Sequence, residues 1–349
     1  LGLEGMINMI IEGCDFDPVQ KAKEFVSKKS KSAPTHMQVD SGNPVPSFEI
    51  GSALNQVEIS GQIPTPDEVG LSTFTRKGEA PLVLGITGTG GAGKSSLIDE
   101  LVQRYLNSYP RKKIAVVCVD PSKRKTGGSL LGDRIRMNSL SRHRVFMRSV
   151  ASRGSGREIA ASLPGILQFL KQLDFDLVIA ETSGIGQGNM AITEVSDLSM
   201  YVMTSDFGAQ SQLEKIDMID FADLVAVNKA DRRGAHDALR DVSKQYRRSR
   251  HIFNNEQTVP VFLTQASQFN DSGVNKLFFA LTELLESKEP SHHWQLSETD
   301  KKKILSADEQ VIIPPERQNY LAEIVSTFRK YQSRPEGLAK NASEMGALK

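Results

Sequence analysis

Short apolar runs alternate with stretches of helical periodicity from about residue 80 onward. The runs are rich in Val, Ile and Leu, which is typical of strands that are buried on both faces of a parallel sheet. Strands are predicted at 82–87, 114–119, 177–181, 198–204, 224–228 and 259–264. Helices are predicted between them at 94–107, 156–173, 208–220, 233–248 and 273–287. This alternation predicts an α/β fold with a mostly parallel sheet and helices on both faces.

The two ends of the chain lack this alternation. Residues 29–79 carry several prolines among Ser, Gly, Asn and Gln, which predicts a linker with only short extended runs, such as the one at 57–59. Beyond residue 287 the chain is polar and interrupted until an amphipathic helix at 316–331, which has no core of its own. The predicted organisation is a remnant of a preceding domain at 1–28, a linker at 29–79, the main domain at 80–287 and a C-terminal helical linker at 288–349.

Composition narrows the class of protein. The 349 residues are 39% hydrophobic, which is enough to bury one main core. With 43 Lys and Arg against 42 Asp and Glu, the chain has a net charge of +1, so neither nucleic acid nor an anionic membrane is expected as a partner. Cys14 and Cys118 are too far apart for a disulfide framework or a CxxC metal site, and a cytoplasmic location fits best.

The most specific motif is the glycine-rich loop Gly88–Ser95, which lies between the first strand and the first helix of the main domain. It matches the complete phosphate-binding pattern GxxxxGK[ST]. A strand that leads through a glycine turn into a helix aims backbone N–H groups and the helix dipole at an anion. Lys94 supplies a cation for the β and γ phosphates, and the Ser95 hydroxyl can bind Mg²⁺. The pattern therefore predicts a P-loop NTPase that binds a nucleoside triphosphate.

A second motif indicates which base is bound. Asn228, Lys229, Ala230 and Asp231 follow an apolar strand directly, at the sheet edge where open α/β sheets bind ligands. An Asp carboxylate there can accept from both the ring N–H and the exocyclic amine of guanine, a pair that adenine does not offer. The sequence therefore predicts GTP and GDP as ligands.

Carboxylates also end two other predicted strands. Asp120 follows the strand at 114–119, and Glu181 closes the strand at 177–181. Hard oxygen ligands beside a phosphate loop suit Mg²⁺. Either carboxylate could instead cap the next helix.

These motifs, together with Gly127–Met137 and Glu181–Gln187, resemble those of the P-loop GTPases that chaperone adenosylcobalamin-dependent mutases. Within this group the chain is most similar to the central G domain of fused isobutyryl-CoA mutases. The resemblance implies a GTP hydrolase that gates cofactor loading and protection of an acyl-CoA mutase. Its partners would be cobalamin-binding and mutase domains of the same polypeptide, and the full-length form would be a homodimer. Adenosylcobalamin is expected only in that full-length form.

The resemblance also implies a role for individual residues. Lys94 and Glu181 would be the catalytic residues. The nucleotide would be bound by Gly91, Ala92, Gly93, Lys94, Ser95, Ser96, Arg136, Asn228, Lys229 and Asp231. Mg²⁺ sites would be surrounded by Ser95, Val119 through its main chain, Asp120, Asp133, Glu181 and Thr182. Switch segments would lie at about 121–137 and 182–190, with a further one at 205–215.

Two other functions stay open. A nickel or cobalt metallochaperone GTPase would have a Cys/His cluster near the switches, and Cys118 has no His or Cys next to it in the sequence. A GTP-gated interaction module would bind GTP and hydrolyse it negligibly without a partner. Single-turnover hydrolysis distinguishes this module from a GTP hydrolase.

Overall fold

The computed structural model describes residues 44–120, 137–141, 143–152, 160–182, 190–208, 213, 216–252, 258–305, 325–329 and 331. Within them a seven-stranded sheet has the order β3-β2-β4-β1-β5-β6-β7. The strands are β1 Leu82–Gly88, β2 Ile114–Asp120, β3 Val145–Ala151, β4 Leu177–Glu181, β5 Leu198–Thr204, β6 Leu224–Asn228 and β7 Val261–Thr264. Every neighbouring pair is parallel, which confirms the predicted α/β fold.

Helices cover both faces of the sheet, as predicted. They are α1 Ser47–Ser60, α2 Lys94–Ser108, α3 Leu163–Leu170, α4 Met218–Phe221, α5 Ala235–Ser249, α6 Ser272–Lys288 and α7 Glu298–Leu305. One core contains side chains of α1, α3, α4 and α5, and the other contains side chains of α2 and α6. Successive residues of β2 alternate between the two cores, so Val116 faces α2 and Val117 faces the opposite side. Burial on both faces explains the uninterrupted apolar runs.

Helix α1 lies in the segment that was expected to be an extended linker. Its buried residues recur at helical spacing and are Ile50, Ala53, Leu54 and Val57. Arg148 of β3 contacts the C-terminal half of this helix by donating to Glu58 Oε1 at 2.6 Å. The predicted extended run at 57–59 is therefore wrong, because these residues belong to a helix that contributes to the core.

Strand β3 at the sheet edge was not predicted, because arginines interrupt its apolar pattern. Arg144, just before the strand, is nevertheless buried. Its guanidinium donates to the carbonyl oxygens of Leu106, Tyr109 and Lys112. A cation at the carbonyl end of a helix is stabilising, so the charge that obscures the strand in the sequence binds the end of α2.

The packed body extends past the predicted domain boundaries at 80 and 287. On the N-terminal side it includes α1. On the C-terminal side Trp294 is fully buried, with its ring centroid 5.5 Å from that of Tyr105 and 5.6 Å from that of Tyr109. Helix α7 then follows and contacts α6 through a hydrogen bond from Asn275 Nδ2 to the Ile304 carbonyl. The polar composition of residues 291–313 hid these contacts.

Other predicted helices are shorter or lie partly outside the described residues. Of the residues described in the predicted helix at 208–220, only 213 and the start of α4 are helical. Helix α3 occupies the centre of the predicted helix at 156–173. Residues 325–329 are helical and expose Val325 and Phe328, whereas 316–324 and the predicted remnant at 1–28 lie outside the described residues.

A membrane-crossing helix would need a long apolar stretch, and none of the helices in the described part of the chain has one.

Candidate nucleotide-binding site

The glycine-rich loop connects β1 to α2 at the carboxyl edge of the sheet. Gly88 has φ of 150°, and a Cβ atom there would overlap the Val202 carbonyl oxygen on β5. Gly93 has φ of 88°, and a Cβ atom there would lie 2.6 Å from Asn228 Nδ2. Helix α2 begins at Lys94, and none of the described side chains caps its first turn. Its first N–H groups therefore suit an anion, as the motif predicts.

The side chain of Lys94, the cation of the glycine-rich loop, lies inside the loop. Lys94 is buried, and its ammonium donates to the carbonyl oxygens of Gly88 at 3.1 Å and Thr89 at 3.2 Å. Ala92 is also buried, whereas Gly91 and Ser96 are exposed on the rim. The positive charge is thus held within the turn that would surround the phosphates.

Glu181 and Ser95, two predicted metal ligands from distant parts of the sequence, lie in contact. The Ser95 hydroxyl donates to Glu181 Oε1 at 3.1 Å. Cys118 is directly opposite Glu181 in the β2–β4 ladder, and its thiol donates to Glu181 Oε2 at 3.3 Å. The carboxylate is therefore held at the base of the phosphate loop with one oxygen towards Ser95.

Two further predicted ligands end neighbouring strands. Asp120 closes β2 and is buried. Val119 before it places its side chain in the core under α1 and α3, so only its main chain could contact a metal ion. Thr182 follows β4, and its buried hydroxyl donates to Thr87 Oγ1 at 2.8 Å. Metal binding by these residues stays a prediction.

Asp133 and Arg136, for which the resemblance implies metal and nucleotide contacts, lie outside the described residues. The same holds for most of the predicted switch segments at 121–137 and 182–190. Their roles stay predictions.

The donor chemistry of the described residues fits Mg²⁺ that is shared with a phosphate. A serine hydroxyl and carboxylates are hard oxygen ligands, and Mg²⁺ typically takes one or two carboxylates together with phosphate oxygens and water. Among the described residues, no three His, Cys, Asp or Glu side chains come together as a metal-binding group. The phosphates of a bound nucleotide would complete the coordination.

Asn228 at the end of β6 joins the phosphate loop to the loop after β7. Its Nδ2 donates to the Ala92 carbonyl oxygen at 2.8 Å. Its Oδ1 accepts from Thr264 Oγ1 at 3.2 Å and from Ala266 N at 3.1 Å. The sequence indicated a base contact for this residue, and the structure adds a bridging role. The phosphate loop and the predicted guanine loop therefore form one hydrogen-bonded unit.

The guanine loop itself has an unusual backbone. Lys229 has φ of 65°, a left-handed conformation that is uncommon for residues other than glycine. Ala230 N donates to the Thr264 carbonyl oxygen at 3.0 Å, and Arg232 N donates to that of Lys229 at 2.9 Å. These bonds form a tight turn with Asp231 exposed at its surface, where a base could reach it.

Sequence reasoning assigned no contact at this site to Cys118, Arg232 or Asp206, although Asp206 lies in the predicted switch segment at 205–215. Cys118 contacts Glu181 from the neighbouring strand, and Arg232 forms an ion pair with Asp206 at 2.6 Å. The position of Arg232 directly after the guanine motif is the one signal that pointed to it. The other two depend on sheet order, which brings β2 beside β4 and β5 beside β6.

A parallel sheet with a phosphate loop at its edge, hydrogen-bonded to an Asn-Lys-x-Asp loop, defines the class of P-loop GTPases. Within this class the chain belongs to the MeaB family. The family model described as "Methylmalonyl Co-A mutase-associated GTPase MeaB" matches residues 67–311.

Several relatives are similar over most of the chain. The fused isobutyryl-CoA mutase of Geobacillus kaustophilus is 46% identical over 346 residues, which are 96% of this chain and 30% of the relative. That of Cupriavidus metallidurans is 45% identical over 353 residues, covering 100% of this chain and 31% of the relative. A putative GTPase of Caulobacter vibrioides is 34% identical over 210 residues, which are 59% of this chain and 62% of the relative. The chain thus spans about a third of the length of the fused relatives, which confirms the predicted resemblance to their G domain.

Proposed function

We propose that this chain binds GTP and GDP with Mg²⁺, hydrolyses GTP, and uses this cycle to gate cofactor loading and protection of an adenosylcobalamin-dependent acyl-CoA mutase. The mutase would be isobutyryl-CoA mutase in a fused polypeptide. One observation carries the nucleotide part: Asn228 of the guanine motif is hydrogen-bonded to Ala92 of the phosphate loop and to Ala266 of the loop after β7. A ligand that fits both loops has a phosphate group and a guanine at a fixed separation.

The phosphate end would be bound by the glycine loop and the first turn of α2. Lys94 would exchange its carbonyl partners for phosphate oxygens and stabilise the negative charge that develops on them during transfer. Ser95, Asp120 and Glu181 would hold Mg²⁺, which when bound neutralises charge on the β and γ phosphates. The contact between Ser95 and Glu181 supports this assignment, because it already places two hard oxygen donors together.

The base would be read by Asp231, through two hydrogen bonds from guanine. Asp231→Asn replaces one acceptor with a donor, so it should lower GDP affinity and relax base choice towards xanthine. Loss of a bidentate pair of hydrogen bonds to a charged carboxylate costs on the order of 2–4 kcal/mol. Titration with GDP, XDP and ADP measures the change, and an unaltered preference for GDP would remove Asp231 from this role.

Single-turnover hydrolysis of GTP tests the enzymatic part. With the chain in excess over GTP, the parent should release GDP and phosphate in a reaction that requires Mg²⁺ and that Lys94→Ala abolishes. Tight GTP binding without turnover would instead favour a GTP-gated interaction module. A variant with Lys94→Ala that hydrolyses GTP as the parent does would contradict the phosphate-loop assignment.

The chaperone role is supported by the likeness to fused relatives that are named as mutases. A nucleotide cycle can bias other domains only if GTP and GDP favour different arrangements. Adding the cobalamin-binding and mutase domains of such a relative should therefore change the hydrolysis rate. A GTP hydrolysis rate that neither domain changes would contradict the chaperone role.

We further propose a cytoplasmic location and a homodimeric full-length form. The buried thiol of Cys118 donates to Glu181 and forms no disulfide among the described residues, which suits a reducing compartment. Light scattering of the full-length protein tests the dimer.

A further inference from the structure

Asp206 connects the end of β5 to the guanine loop. It lies in the 3₁₀ turn Ser205–Phe207, directly after β5. Its Oδ2 accepts from Arg232 Nη1 at 2.6 Å and from Thr204 Oγ1 at 3.1 Å. Arg232 is the residue next to Asp231 in the chain. The side chain beside the proposed base-reading carboxylate is therefore fixed to the neighbouring strand.

A second contact joins the same two regions. Gly208 follows the 3₁₀ turn and packs against Ala238 in the first turns of α5, the helix that leaves the guanine loop. A Cβ atom on Gly208 would overlap Ala238 Cβ and would lie 2.9 Å from Ala238 Cα. The segment 205–208 thus contacts both the guanine loop and the helix that follows it.

The guanine loop needs such support because its backbone is strained. Lys229 is in a left-handed conformation that the surrounding structure must maintain. On the β7 side, the Thr264 carbonyl oxygen accepts from Ala230 N. On the β5 side, Asp206 holds Arg232. The two attachments lie on either side of Asp231.

We propose that Asp206 and Arg232 are positioning residues for guanine recognition, and that segment 205–208 consequently responds to the bound base. This inference rests on the proposed function, in which Asp231 reads guanine. Coupling between two sites is reciprocal. If the ion pair stabilises the loop arrangement that binds guanine, bound guanine must in turn stabilise segment 205–208.

The expected effect is modest because both partners are about half exposed, with 45% of the Arg232 side chain and 57% of the Asp206 side chain accessible. An ion pair of this exposure changes an equilibrium constant by up to about five-fold. Inosine diphosphate, IDP, lacks the exocyclic amine of guanine and so forms one of the two hydrogen bonds to Asp231. The ratio of GDP to IDP affinity therefore reports how well Asp231 is placed.

The experiment measures this ratio for the parent, Asp206→Ala, Arg232→Ala and the double variant. Each single variant should lower the ratio about two- to five-fold, and the double variant should lower it no further, since both changes remove the same contact. Arg232→Lys keeps a cation and should restore most of the ratio. Arg240→Ala removes another exposed ion pair, 3.1 Å from Asp237 on α5, and should leave the ratio unchanged.

Hydrogen exchange of the backbone amides at 205–208 supplies the reciprocal measurement. GDP should slow exchange there more than IDP does in the parent, and Arg232→Ala should remove that difference. An unchanged affinity ratio in both single variants, or equal exchange with GDP and IDP in the parent, would overturn the inference. If the parent binds GDP and ADP equally, the proposed guanine recognition itself fails, and this inference fails with it.

Discussion

Asn228→Ala should destabilise the protein even in the absence of nucleotide. The side chain is buried, at 2% exposure, and forms three hydrogen bonds, to Ala92 at 2.8 Å, Thr264 at 3.2 Å and Ala266 at 3.1 Å. At about 1 kcal/mol for each bond, the free energy of unfolding should fall by about 3 kcal/mol. The backbone groups of Ala92 and Ala266 would lose a partner, so the loss should not be smaller than this sum.

Urea denaturation of the nucleotide-free chain measures the loss. Asp231→Asn is the matched control, because Asp231 is an exposed residue of the same loop and its replacement should change base choice with little effect on the midpoint. If the free energy of unfolding of Asn228→Ala lies within about 0.5 kcal/mol of the parent's, which is the range typical of surface substitutions, the bridging role is wrong.

Three further changes have expected outcomes. Gly88→Ala should abolish GDP binding, because its Cβ atom would overlap the Val202 carbonyl oxygen, and titration would detect any binding that persists. Glu181→Gln should raise the Mg²⁺ concentration for half-maximal GTP hydrolysis several-fold, because a metal-binding carboxylate becomes a neutral amide; an unchanged Mg²⁺ requirement would contradict the metal role. Burial lowers the pKa of His292 below its usual value near 6.5. The nearby charges of Arg76 and Lys112 lower this pKa further, and the charge of Asp176 opposes the shift. The folded state therefore disfavours protonated His292, so stability should be fully present above the unfolded-chain pKa and fall as pH drops below it; His292→Gln should reduce this fall in urea midpoints between pH 7.5 and 5.5.

Prediction from the sequence succeeded where the local structure allows only one kind of residue. Glycines at 88 and 93 are required by positive φ and close contacts, and β1, β2, β4, β5 and β6 are apolar because both their faces are buried. The edge strand β3 and helix α1 escaped prediction because charged and helix-breaking residues obscure their apolar spacing. Arg144 is buried because the tertiary structure supplies carbonyl partners for its guanidinium, and the local sequence does not reveal these partners.

In the candidate site, too, the local motifs were predictable, whereas contacts that depend on the tertiary structure were not. The motifs placed Lys94, Ser95, Asn228 and Asp231 at one edge, and in the structure the strands that lead to them, β1 and β6, end at that edge on either side of β5. The contact of Glu181 with Cys118 required the β2–β4 register, and the Asp206–Arg232 pair required β5 next to β6. Neither side-chain contact follows from local sequence, because the crossovers that join parallel strands are a dozen or more residues long and separate the partners along the chain.

Equilibrium titration of the chain with GDP and ADP in the presence of Mg²⁺ tests the central claim most directly. Two hydrogen bonds from guanine to Asp231, worth on the order of 2–4 kcal/mol, predict that GDP binds at least about thirtyfold more tightly than ADP. Asp231→Asn should remove most of that preference while leaving the urea midpoint near that of the parent. Equal affinity for GDP and ADP, or no binding of either, would contradict the assignment of this site to a guanine nucleotide.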